Sequence, residues 1–63
     1  DADLREQLRS LYNEANGRWA VIRAKTGWTK GQFYRRFYAA GLRPVIVALY
    51  DGEEIVIVKR ERP

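Results

Sequence analysis

The chain has 63 residues, 46% of them apolar and 32% charged, a globular mixture whose length supports one domain and a small core that tight packing or a second chain must reinforce. Neither Cys nor His occurs, which excludes disulfides, zinc fingers, cysteine nucleophiles and histidine acid/base chemistry together. The net charge is +4, but seven cations (Arg18, Arg23, Lys25, Lys30, Arg35, Arg36 and Arg43) and no carboxylate lie between Ala15 and Tyr50, while all eight acids sit in the flanks.

Leu4, Leu8, Leu11, Tyr12 and Ala15 recur on one stripe of a 3.6-residue period and predict an amphipathic first helix. Asp3 is expected to cap it, with Glu6 completing a capping-box-like pair. Asn16-Gly17 is expected to end it, because both residues tolerate the left-handed conformation. A second helix of about two turns is predicted from Arg18 to Thr26, with Gly27 as its stop. The third runs from the N-cap Thr29 to Gly41, with Phe33, Phe37 and Ala40 on one side and Lys30, Gln32, Arg35 and Arg36 mostly off it. It is aromatic inside and cationic outside.

After Arg43-Pro44 the period changes from 3.6 to 2. Two β-branched runs, Val45–Tyr50 and Ile55–Val58, flank Asp51-Gly52, a short-hairpin signal. A two-residue turn there pairs Ala48 with Ile55 and Ile46 with Ile57 on one face, and Val47 with Val56 and Val45 with Val58 on the other. Both faces are then apolar. One can lie against the chain's own helices; the other calls for cover from a symmetry mate or from further parts of a longer protein. The expected fold class is α+β: a single domain over 1–63, with a three-helix helix-turn-helix unit over 3–42 and a β-hairpin over 43–62 acting as wing or dimerisation element.

Two helices joined by a tight Gly-containing turn form a helix-turn-helix, whose first helix braces while the second offers outward side chains to base edges. Gly27 supplies the turn, Trp28 seals the corner, and Phe33 and Phe37 point inward. The stretch from Asn16 to Leu42 resembles the helix-turn-helix of the factor-for-inversion-stimulation (Fis) family, a module that also ends many bacterial enhancer-binding activators. Three features carry the resemblance: Gly17 and Gly27 at the family's ten-residue spacing, Thr29-Lys30-Gly31-Gln32-Phe33-Tyr34-Arg35-Arg36-Phe37 with its grammar, and the Gly41-Leu42 ending. Trp28 stands where the family has a small aliphatic residue and Arg23 where it has a small one, and the hairpin has no counterpart.

The resemblance implies that Thr29 and Lys30 reach bases or nearby phosphates. It further implies that Gln32, Tyr34, Arg35 and Arg36 contact backbone or bases, and that Arg18 touches phosphate at the start of the brace helix. The acid-free central segment is independently an electrostatic footprint for a polyanion, against the plainer reading of a solvated basic face. Trp19, Trp28, Phe33 and Phe37 read as core rather than as a stacking platform for single strands, and Tyr12 and Tyr50 as structural. Tyr34 and Tyr38 have no base or metal site to activate them, so no enzyme, cofactor or small-molecule ligand is expected.

The expected function is double-stranded DNA binding by a homodimer joined through the hairpin, in transcriptional control or DNA architecture. The alternatives are a protein-interaction or assembly module built on the apolar hairpin, and an RNA or single-strand binder. No apolar run approaches the roughly 20 residues that span a bilayer and no leader precedes the first helix, which predicts a cytoplasmic bacterial, phage or nucleoid-associated protein. Asp1 in place of Met predicts a trimmed chain or a domain cut from something longer.

Overall fold

A computed structural model describes residues 2–59; Asp1 and the end of the expected hairpin, residues 60–62, lie outside the described residues. The fold is α+β: helices α1 (Ala2–Glu14), α2 (Trp19–Thr26) and α3 (Lys30–Ala39) precede strands β1 (Arg43–Ala48) and β2 (Glu54–Lys59), which pair antiparallel. No helix among the described residues is long and apolar enough to cross a membrane.

The helix boundaries follow from local chemistry. Asp3 lies inside the first turn of α1 rather than at the N-cap position, because the helix already begins at Ala2; an acid in that turn complements the electropositive end of the helix. Asn16 (φ 53°) and Gly17 (φ 71°) are both left-handed, and their N–H groups donate back to the carbonyls of Asn13 and Tyr12. Gly27 closes α2 in the same conformation, its N–H donating to Arg23 O at 2.7 Å. At the end of α3, Gly41 N–H donates to Tyr38 O and Leu42 N–H to Phe37 O, the paired bonds of a Schellman ending, with Leu42 buried behind them.

The core gathers Leu8 and Ala15 from α1, Trp19 and Ile22 from α2, Phe33 and Phe37 from α3, then Ala40, Leu42 and Val56. Trp19 meets Phe33 edge-on at 5.1 Å between centroids, and Phe33 lies tilted against Phe37 at 4.4 Å. Burying aromatic rings of this size contributes about 1.5–3 kcal/mol each. Trp28 is half-buried at the edge of this cluster, where it seals the turn.

The hairpin differs from the expected register by one residue. Val45 pairs with Ile57, Ile46 with Val56 and Val47 with Ile55. The connection has three residues, Tyr50 to Gly52, closed by Leu49 N–H to Glu53 O at 2.7 Å and Gly52 N–H to Leu49 O at 2.9 Å. A two-residue type I′ turn needs positive φ at both Asp51 and Gly52. Only Gly52 has it (φ 93°), while Asp51 turns its carboxylate to accept Glu53 N–H at 2.9 Å. The slip changes which residues share a face. Pro44, Ile46, Val56 and Val58 turn toward the helices, and Val45, Val47, Ile55 and Ile57 turn away. Tyr50, expected to be structural, is fully exposed at the tip of this longer loop.

Both edges of the hairpin are engaged at their centres. On the β2 side, Val56 N–H donates to Gly17 O at 2.6 Å and Arg18 bridges to Ile55. On the β1 side, Ile46 N–H donates to the Tyr34 hydroxyl at 3.0 Å. The hairpin is thereby stitched to the start of α2 and to the middle of α3.

Candidate nucleic-acid interface

The α2–α3 connection is Gly27-Trp28-Thr29, and each residue has a distinct task. Gly27 takes the left-handed turn. Trp28 N–H donates to the Thr26 hydroxyl at 3.2 Å while that hydroxyl donates to Ile22 O at 2.8 Å, so the corner is hydrogen-bonded onto the end of α2. Thr29 and Gln32 form a reciprocal capping box: Gln32 N–H donates to Thr29 Oγ1 at 3.2 Å and Thr29 N–H to Gln32 Oε1 at 3.0 Å. The two side chains that the family resemblance assigns to nucleic acid are therefore also what starts α3. Such a box satisfies two donors that a helix start would otherwise leave open.

Residues 100° apart on the helix divide α3 into three sectors. Phe33, Phe37 and Ala40 face the core. Lys30 and Tyr34 face the hairpin, through Glu54 and Ile46 N–H respectively. Gly31, Arg35, Tyr38 and Ala39 face solvent, with Gln32 and Arg36 on the margin toward Trp28. The Arg36 guanidinium lies 4.9 Å from the Trp28 ring centroid, a contact that holds its head at the turn. Arg23 and Arg35 have no hydrogen-bond or ion-pair partner among the described residues.

Gly31 is the residue that the sequence reading left unassigned. It sits in the first turn of α3 without a positive φ, and a Cβ built on it would meet only Thr29 Oγ1, at 3.9 Å. Nothing inside the chain requires glycine there. Contrast Gly17, where φ is 71° and a Cβ would come within 3.1 Å of Val56 O, or Gly41, where it would lie 2.6 Å from the Arg5 guanidinium that secures Ala40 O. The signal available in the sequence was a glycine inside a helix, which costs about 1 kcal/mol against alanine unless something external needs the space.

The remaining expected contacts are already engaged. Arg18 Nε lies 3.1 Å from Glu53 Oε2, and Lys30 Nζ lies 2.6 Å from Glu54 Oε2. Lys25 is 4.0 Å from Glu14, and the Tyr34 hydroxyl is tied to β1 while its ring stacks on Tyr38. The acid-free stretch is thus partly neutralised by acids from both flanks. The surface it leaves open is Gly31, Arg35 and Arg36 on α3 with Arg23 at the end of α2. Comparison with protein-family models, with curated proteins and with solved structures yields no match in any of the three.

Proposed function

We propose that the chain is a double-stranded DNA-binding domain whose helix-turn-helix is of the Fis type, with α3 entering the major groove. The observation that carries this reading is Gly31: an exposed, helical glycine at the N-terminal turn of α3 with no internal steric role. A polyanion backbone approaching that turn supplies the reason. It meets free amides at the helix start, the positive end of the helix dipole, and cations on the adjoining surface. One turn along the same face, Arg35 projects where a bidentate contact to a guanine edge would be made, with Arg36 next to it in the chain as a phosphate contact.

The aromatics favour duplex over single strands as the ligand, since Trp19, Phe33 and Phe37 are spent in the core. The reading is of a binding domain rather than an enzyme, serving transcriptional control or DNA architecture in a bacterial, phage or nucleoid-associated cytoplasmic setting. A second copy is its natural partner, because one small module reads few base pairs and a two-fold pair doubles them.

The test is a salt-dependent titration against random duplex, a selected duplex and single strands. If roughly four to six cations meet phosphate, log K falls against log salt with a slope of about −4 to −5 per subunit on duplex. A flat salt response, or a preference for single strands, would sink this reading.

A further inference from the structure

Resting on the DNA-binding reading, we propose that the hairpin tip is a tethered competitor for phosphate: in the free protein Glu53 and Glu54 occupy Arg18 and Lys30, and a duplex must displace them to engage the starts of both helices. Arg18 is the N-cap residue of α2 and makes no side-chain cap bond, and Lys30 is the first residue of α3. These are the two places where a phosphate would find amides and a cation together. Each is instead matched with a carboxylate, at 3.1 Å and 2.6 Å. The same geometry of a cationic N–H on an anionic oxygen is what a phosphate contact would reproduce.

The placement is organised by the backbone. Leu49 N–H bonds Glu53 O, Asp51 accepts Glu53 N–H, and Arg18 bridges to Ile55 one residue past the acids. The tip therefore delivers two consecutive acids to two helix starts that lie twelve residues apart in sequence. Both pairs are also weak enough to exchange: their side chains are 58% and 37% exposed in one and 51% and 34% in the other. Solvated pairs of this kind contribute little stability and are screened by salt. They hold the cations only until a denser array of negative charge arrives. Their effect is to lower the affinity for isolated phosphates while leaving Arg35 free to sample bases.

The experiment is a double-mutant cycle read by duplex titration at fixed, moderate salt, with thermal melts to verify that every variant is folded. Glu53→Gln with Glu54→Gln should tighten duplex binding by about three- to tenfold, the factor expected when two exposed ion pairs no longer compete. On an Arg18→Gln, Lys30→Gln background the same two changes should tighten it by less than about twofold, since no cation is left to release. Equal tightening on both backgrounds would mean that only net charge had changed, and would overturn the proposal, as would no tightening in the first pair. If the wild-type domain binds duplex with steep salt dependence but the cycle shows no coupling, the competitor falls while the DNA reading stands. If no variant binds duplex, both fall.

Discussion

On the proposed DNA-binding reading, stability and binding make opposite demands on Gly31. Replacing it by alanine removes a backbone-entropy cost of about 0.8–1 kcal/mol and meets no clash, so Gly31→Ala should raise the melting temperature by roughly 4–8 °C for a domain of this size. The same methyl group stands between α3 and an approaching phosphate. Duplex affinity should fall by about tenfold, a penalty of about 1.4 kcal/mol. A variant that is more stable and binds equally well would remove the main support for the recognition surface. Its neighbours separate positioning from reading. Arg36→Ala should weaken all duplexes alike, whereas Arg35→Ala should also relax base preference by about 1–3 kcal/mol, checked by titration on a panel of single-base variants of a selected site. The sequence made the residue types legible but not their obligations. Arg18 and Glu53 are 35 positions apart and on no common period, so only the folded hairpin reveals that they meet.

The elements were legible wherever a boundary is written in one residue. Thr29, Gly27 and Gly41-Leu42 each specify a helix end through their own backbone chemistry, and each lies where the sequence places it, whereas the Gln32 half of the capping box shows only in the structure. Strand register is different, because Asp51-Gly52 satisfies both a two-residue and a three-residue connection. The choice depends on φ at Asp51, and the wrong choice exchanges faces along β2. Tyr34 carries a structural task that the motif does not state, since its hydroxyl acts as the hook between α3 and β1. Tyr34→Phe removes that acceptor and leaves the Ile46 N–H without it, which should cost about 1–3 kcal/mol in denaturant unfolding. Because the ring remains against Phe33, the helices should stay formed, with amide exchange accelerating first in β1. Unchanged stability would show that the hairpin is held by its apolar face alone.

For the whole molecule, the open question is what covers the outward face of the hairpin. Val45, Val47, Ile55 and Ile57 line it, Ile57 is 44% exposed, and exposed Leu49 and Tyr50 continue it toward the tip. Edge-to-edge extension into a four-stranded sheet is blocked, because the central edge positions of both strands are engaged, by Tyr34 on one side and Gly17-Arg18 on the other. The accessible route is face to face. Six-residue strands at about 3.3 Å per residue, two abreast, present roughly 200 Å², well under the ~800 Å² per partner of a stable interface. The pair should therefore be weak alone and consolidated by DNA carrying two half-sites about 34 Å apart, close to the 35 Å long dimension of one domain. Lysines placed to break it belong at Val47 and Ile57, on the outward face. Val47→Lys with Ile57→Lys should leave the melting temperature within a few degrees, abolish self-association at high micromolar concentration in sedimentation, and reduce affinity for a palindromic site toward that for a half-site. Were the wild-type domain monomeric both free and on a palindrome, the outward face would belong to another partner, and α3 would read its half-site alone.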